Sequence, residues 1–281
     1  MISGAAKIAG VIGWPIAHSL SPRLHGFWLD HHGVDGAYIP MPVSPDHIEM
    51  AIAGLSKLGL RGANVTVPHK IAAFNAADEL SPAARAIGAV NTLVCRDDGS
   101  IFGDNTDGYG FLANLKAGAP DWDPSSAPAL VLGAGGAARG VIWSLIDAGV
   151  PRVMITNRTA EKAQVIADDM DGAITVIPWD DRSDTVVDAG LIVNTTSLGM
   201  TGKPALDVNL DHASPSTLVT DIVYAPLETP LLKDAAAHGC QVVDGLGMLL
   251  HQAVPGFEAW FGIRPEVTPE LRAHVLAGLA T

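Results

Sequence analysis

The chain has 281 residues, just under two domains at roughly 150 residues each, with 48% apolar and 17% charged residues. Together with 30 glycines and 19 prolines, this composition excludes a disordered chain, a coiled coil and a collagenous repeat, and leaves a turn-rich globular protein. Seventeen basic against 30 acidic side chains give a formal charge of −13, which repels phosphate backbones and anionic lipid, so neither nucleic acid nor a membrane is an expected partner.

The first apolar stretch, Ile8 to Ala17, is broken by Gly10, Gly13 and Pro15 and is far short of the ~20 residues that span a bilayer. Lys7 is the only basic side chain before it, so a signal peptide is not expected. Ile8 to Ile12 reads as a strand and Pro22 to His32 as a helix, the start of a βα pattern. Ser44 followed by Pro45 reads as an N-cap with proline in the first helical position, and Ile48, Ile52, Leu55 and Leu58 then recur at helical spacing up to Gly59. In Ala63 to Pro68, alternation places Asn64 and Thr66 opposite Ala63, Val65 and Val67, with Lys70 just beyond the strand. Ala89 to Arg96 and Ser100 to Asp104 flank Asp97-Asp98-Gly99 as a hairpin, and a linker is expected near Gly108 to Gly110.

A second region opens with Ala129 to Leu132, a glycine cluster, and a helix from about Gly136 to Ala148. Apolar runs follow at Val153 to Thr156, Ile174 to Ile177, Leu191 to Asn194, Leu218 to Val223 and Gln241 to Val243. Six short strands with helical segments between them predict a doubly wound parallel sheet. The tail after Gly245 reads as helical and is expected to pack on the first region. Cys95 and Cys240 are the only cysteines, which supports neither a disulfide framework nor a zinc knuckle and fits a reducing cytoplasm.

Gly133-Ala134-Gly135-Gly136-Ala137-Ala138 follows a strand and opens a helix, matching the G-x-G-x-x-G/A pattern with Ala138 third. Small residues there let a pyrophosphate reach the backbone and the helix N-terminus, although the pattern alone also fits a tight structural turn. An NAD site usually carries a carboxylate about 20 residues on. Here the next strand ends in Asn157-Arg158-Thr159, with Lys162 one turn later. Arg158 and Lys162 would attract a 2′-phosphate, so the expected cofactor is NADP, although both also fit a solvated helix start.

In the first region, Ser19 and Ser21 lie two residues apart just before Pro22. By themselves they read as a turn residue and an N-cap, and two hydroxyls so placed would also bind a carboxylate. The blocks GWPIAHSLSP (Gly13 to Pro22), NVTVPHK (Asn64 to Lys70), GAVNT (Gly88 to Thr92), GDNTDG (Gly103 to Gly108), GAGGA (Gly133 to Ala137), NRT (Asn157 to Thr159), NTTSLGM (Asn194 to Met200) and GLGML (Gly245 to Leu249) occur in that order. Together they resemble the shikimate dehydrogenase family over nearly the whole chain.

The resemblance implies an α/β fold with a discontinuous substrate-binding domain, residues 1–107 plus 246–281, and a Rossmann-type NADP-binding domain, residues 108–245. It implies reversible NADPH-dependent reduction of 3-dehydroshikimate to shikimate, on the route to chorismate and the aromatic amino acids. The family's catalytic pair falls on Lys70 and Asp107. Reduction of a ketone creates an alkoxide that needs a proton donor in reach, which suits a lysine oriented by a carboxylate. Without the flanking motifs, the same two residues read equally as a domain-bridging salt bridge. Ser19 and Ser21 fall on the carboxylate-binding positions. Asn64, Thr66, Asn91 and Gln252 fall on those for ring hydroxyls, with Tyr224 closing the site and the backbones of Ile222 and Gly245 lining the nicotinamide. One departure is visible: the family commonly has His-Asn where His25 is followed by Gly26.

No metal is expected among the ten histidines, since His31 and His32 are adjacent and no HExxH or Cys/His cluster occurs; solvated surface histidines are the expectation. Ser197 lacks a G-x-S-x-G elbow, which argues against a hydrolase. The competing readings are a quinate/shikimate dehydrogenase of broader substrate or NAD use, and a catalytically silent NADPH-sensing module. The acidic surface fits a monomer or a homodimer.

Overall fold

The computed structural model describes residues 2–279. It forms two compact units, one running to Thr106 and resuming at Gln252, the other from Asp107 to His251. The first contains β1 (Lys7–Gly13), α1 (Ser21–His31), β2 (Gly36–Pro42), α2 (Ile48–Leu55), β3 (Leu60–Val65), α3 (Lys70–Ala76), β4 (Glu79–Leu80), α4 (Pro82–Ile87), β5 (Thr92–Cys95) and β6 (Ile101–Asp104). Its sheet has the order β2-β1-β3-β5-β6-β4. β1 pairs in parallel with β2 and β3, while β5 is antiparallel to both β3 and β6. Gly99, at φ +88°, and the Asp98 carboxylate, which accepts from the Ser100 amide at 2.9 Å, close the β5–β6 hairpin.

The second unit contains α5 (Asp107–Gly118), β7 (Ala129–Leu132), α6 (Gly136–Asp147), β8 (Val153–Thr156), α7 (Ala160–Asp169), β9 (Ile174–Ile177), β10 (Leu191–Asn194), β11 (Leu218–Asp221), α8 (Pro230–Ala237) and β12 (Gln241–Val243). Its sheet runs β12-β11-β10-β7-β8-β9 with every pairing parallel, the doubly wound arrangement that the six apolar runs predict. β7, β8, β10 and β11 are buried along their whole length, because apolar clusters cover the sheet.

The tail forms α9 (Leu246–Phe261) and α10 (Pro269–Leu276). From Gln252 onward it joins the first unit, as the Trp260 indole donates to the Leu93 carbonyl at 3.0 Å and the Trp28 indole donates to the Glu266 carbonyl at 3.0 Å.

Several local expectations are corrected. Gly108 to Gly110 is no linker but the first turn of α5, and a Cβ at Gly108 would lie 2.9 Å from the Gly140 carbonyl oxygen. The glycine serves the close approach of α5 to α6, not chain freedom. Ser44 does not cap a helix amide; its hydroxyl meets the His47 ring at 3.0 Å, and α2 begins at Ile48 after a 3-10 turn. Ser21 is the first residue of α1, with Leu20 at the N-cap. β3 stops at Val65, so Val67 is 72% exposed, while Asn64 is buried on the face opposite Ala63 and Val65. β11 likewise ends at Asp221, before Val223.

The histidines are not all solvated. His25 and His69 are buried, and the His25 ring stacks on Tyr38 at 3.9 Å between centroids, with Trp28, Phe257 and Trp260 around it. Among the described residues neither His25 ring nitrogen has a hydrogen-bond partner. Burial pushes its pKa down to about 3, and the neighbouring Asn64 side chain offsets only part of that effect.

Between pH 6.5 and 3 the unfolded chain therefore holds a proton that the folded state refuses, and stability falls as pH drops through this window. At pH 5 the loss is about 2 kcal/mol, at 1.36 kcal/mol per unit. His25→Phe keeps a ring in the stack and removes the titration. In urea unfolding at pH 7.5 and 5.0, the unsubstituted protein should lose about 2 kcal/mol more than this variant on going to the lower pH; equal losses would remove the assignment.

Candidate active site

In the first unit, Asn64, Thr66 and Lys70 lie at and beyond the C-terminal end of β3, Asn91 directly precedes β5, and Ser19 and Ser21 follow β1. Lys70 opens α3, and the residue before it anchors that position: the buried His69 ring bonds the Val43 carbonyl at 2.7 Å, and the His69 amide donates to Thr66 O at 2.9 Å. The Lys70 carbonyl accepts from the Val90 amide at 3.0 Å, next to Asn91. Thr66, half-buried, donates its amide to Ile12 O at 2.9 Å, so Thr66 and Lys70 belong to one turn hung from β1.

Asn64 and Asn91 are joined directly. The Asn64 Nδ2 donates to the Asn91 carbonyl at 3.2 Å and to Thr92 Oγ1 at 3.1 Å, and its Oδ1 accepts from the Tyr38 hydroxyl at 2.6 Å. The Asn91 Oδ1 accepts from Thr92 Oγ1 at 2.9 Å and from the Thr106 amide at 2.9 Å. Burial keeps the Tyr38 pKa well above the usual phenol range, and the buried Ser21 side chain beside it offsets only part of that effect. The Ser19 hydroxyl accepts from the Ser21 amide at 3.3 Å. Gln252 lies on α9, half-buried.

In the second unit, the glycine loop divides by cause. Gly133 has φ +113°, and a Cβ there would come 2.6 Å from Thr195 Oγ1, so the fold itself demands glycine. Gly135 and Gly136 have neither positive φ nor any atom within 4 Å of a built Cβ. Their small size therefore keeps open the space in front of α6, which is where a pyrophosphate would meet the unbonded first-turn amides. No acidic residue occupies the first turn of α6. Asn157 braces the loop, accepting from the Ala134 amide at 3.2 Å and donating to Thr159 O at 2.8 Å.

Arg158 and Lys162 are exposed, and neither has an ion-pair partner among the described residues; Glu161 is the single carboxylate in the first turn of α7. The donor set fits a phosphorylated dinucleotide: open space at Gly135 and Gly136, amides for the pyrophosphate, and two cations where a ribose-binding carboxylate would stand.

Asp107 is the first residue of α5. Ile222 donates its amide to Asn194 O at 3.1 Å, and Gly245 comes so close to this segment that a Cβ would lie 2.6 Å from the Ile222 carbonyl. Burial raises the Tyr224 phenol above its ordinary pKa. Among the described residues no group of His, Cys, Asp or Glu could hold a metal ion.

Sequence reasoning missed Tyr38, Thr92 and Thr106, which orient Asn64 and Asn91, and also missed Asn194 with Asp221. The Asn194 Nδ2 donates to Asp221 Oδ1 at 3.0 Å, while Asp221 also accepts from the Val223 amide at 2.9 Å and from Thr229 Oγ1 at 2.8 Å. This buried pair fixes the loops after β10 and β11, including the backbone of Ile222; burial raises the Asp221 pKa against its three donors. The available signal was a polar residue at the C-terminal end of β10 and of β11, where open α/β sheets bind ligands.

Three family models match the chain: a shikimate dehydrogenase substrate-binding domain over residues 11–93, shikimate/quinate 5-dehydrogenase over 116–205, and a shikimate 5′-dehydrogenase C-terminal domain over 245–269. A relative from Paramagnetospirillum magneticum, named shikimate dehydrogenase (NADP(+)), is 56% identical over 98% of this chain and 100% of its own. Among solved structures, quinate dehydrogenase from Corynebacterium glutamicum in complex with NAD aligns with a TM-score of 0.90 at 30% identity, covering 97% of this chain and 99% of that one. Shikimate 5-dehydrogenase from Thermus thermophilus, in complex with NADP(H) and shikimate, aligns with a TM-score of 0.85 at 36% identity, covering 97% and 99%. Identity of this order over essentially the full length of both chains, on a substrate unit and a parallel-sheet unit of the expected topology, establishes that the chain belongs to the shikimate dehydrogenase family.

Proposed function

We propose that this chain catalyses the reversible NADPH-dependent reduction of 3-dehydroshikimate to shikimate in the cytoplasm. The observation that carries the reading is Lys70, held at the start of α3 by the buried His69 anchor, in a chain 56% identical to a shikimate dehydrogenase (NADP(+)). Two free cysteines fit a reducing compartment, and among the described residues no helix is long and apolar enough to cross a membrane.

Bound NADPH supplies the hydride that adds to the ketone carbon. Lys70 gives a proton to the oxygen that becomes the new hydroxyl and takes one back in the oxidation, so a single side chain serves both directions. Asp107 accepts from a substrate hydroxyl and orients the lysine. Ser19 and Ser21 bind the carboxylate, Asn64, Thr66, Asn91 and Gln252 bind the ring hydroxyls, and Tyr224 covers the ring. Directional partners for each hydroxyl reject analogues that lack one, because a buried polar group is then left unpaired. On the cofactor side, Gly133 to Ala137 with Asn157 form the pyrophosphate loop. Arg158, Thr159 and Lys162 take the 2′-phosphate, and the backbones of Ile222 and Gly245 line the nicotinamide.

The likeness to a quinate dehydrogenase makes quinate the substrate to test beside shikimate. Initial rates with each acid, offered NADP or NAD, should show turnover confined to shikimate with NADP. Quinate or NAD use would widen the assignment, and NADPH binding without any turnover would point to a silent sensor.

Two substitutions test the roles. Lys70→Ala should lower kcat by roughly 10² to 10⁴ with much smaller change in shikimate KM, as expected for a group that acts in the transition state; normal turnover would sink the assignment. Arg158→Ala should raise KM for NADP by about 10- to 100-fold, the effect of losing a charge-assisted bond to phosphate, and leave that for NAD nearly unchanged. Equal effects on both cofactors would show that Arg158 does not read the 2′-phosphate.

A further inference from the structure

Asn64 comes to substrate recognition with most of its hydrogen-bonding capacity already used. A carboxamide has two N–H donors and two acceptor lone pairs. Both donors of Asn64 are engaged, by the Asn91 carbonyl at 3.2 Å and Thr92 Oγ1 at 3.1 Å, and one lone pair takes the Tyr38 hydroxyl at 2.6 Å. The reversed orientation is closed off, because it would set the Asn64 oxygen against the Asn91 carbonyl, which can only accept. What Asn64 has left is one lone pair on Oδ1.

Tyr38 holds that oxygen in place and is itself held. Its ring lies 3.9 Å from that of His25 at an interplanar angle of 9°, and both residues are buried, as is Ser21 one turn before His25. Ser21 and His25 are four residues apart on α1, hence on one face, and the His25 ring on that face holds the phenol by stacking. Tyr38 is buried and has no place in the reaction as described above.

We propose that Tyr38 is a positioning residue for substrate selection: stacked on His25, it fixes the Asn64 carboxamide so that Oδ1 accepts a proton from one ring hydroxyl of the substrate. The proposal rests on the assignment of Asn64 to the substrate site. It predicts coupling between two hydroxyls that never touch, that of Tyr38 and that of the substrate.

The test compares shikimate with 4-deoxyshikimate and 5-deoxyshikimate in the unsubstituted enzyme and in Tyr38→Phe, which keeps the ring and the stack. Tyr38→Phe should lower kcat/KM for shikimate about tenfold, mainly through KM, and leave KM for NADP unchanged. For one deoxy analogue the loss should be much smaller, so that the preference for shikimate over that analogue narrows. A merely structural role would depress all three acids alike, and that result, or no loss at all, overturns the proposal. Should Tyr38→Phe fail to fold, Thr92→Val deletes a bond on the donor side of the same carboxamide, and the same narrowing is expected; its absence is equally fatal. Asn64→Ala separates the two levels: if it leaves both preferences unchanged, Asn64 is not a substrate residue and the proposal falls with that reading, whereas a changed preference in Asn64→Ala with none in Tyr38→Phe overturns the role of Tyr38 alone.

Discussion

A carboxamide buried inside a sheet has no water to satisfy it, and much of the first unit is arranged around that constraint at Asn64. β3 lies between β1 and β5, so the partners of Asn64 come from neighbouring strands. Thr92 is its register neighbour on β5. Tyr38 stands two strands away on β2 and reaches it across β1. Register pairs Tyr38 with Ala9 and Asn64 with Val11. Because paired residues share a face and residues two apart on a strand share it too, all four side chains lie on the same side of the sheet. Ala9 is small enough to let the phenol pass over β1, and a bulkier residue there would cut the link between β2 and Asn64.

The second unit meets a related constraint differently. Its central strands are buried from end to end, and their amide and carboxylate side chains stand only where the strands stop, at Asn157, Asn194 and Asp221. These residues turn inward on their own loops: Asn157 ties down the glycine turn, while Asn194 and Asp221 hold each other and the segments beyond them. The backbone near the proposed cofactor site is thus shaped by side chains that spend their hydrogen bonds on the protein. The outward groups are left to Arg158, Lys162 and the amides at the start of α6.

How much of this was legible in the sequence follows from the range of each interaction. The parallel sheet could be read from apolar runs, because burial on both faces erases alternation and leaves short blocks of Val, Ile and Leu. The glycine loop could be read as a pattern, but not which glycine the chain needs for itself: Gly133 is demanded by Thr195, 62 residues on, while Gly135 and Gly136 are not demanded by any protein atom. Val67 was misplaced because alternation carries no signal for where a strand ends, and here the chain leaves β3 at Thr66 to form the turn that carries Lys70. Tyr38 and Thr92 were passed over since, in sequence, a tyrosine or threonine in an apolar run is an ordinary strand former. Their role appears only when β2, β3 and β5 are side by side.

The departure at Gly26 falls on the outer side of α1. The buried residues of α1 are Ser21, Leu24, His25, Trp28 and Leu29, a stripe at helical spacing that faces the core. Gly26 lies off that stripe, beside a surface groove with Arg23, Phe27 and Asp30, and a Cβ there would meet no atom within 4 Å. Neither packing nor backbone conformation requires glycine, which costs about 1 kcal/mol relative to alanine in a helix interior, and nothing in the structure explains it. The substitution therefore opens on the outer side of the helix and leaves untouched the inner side, where His25 supports Tyr38 and, through it, Asn64.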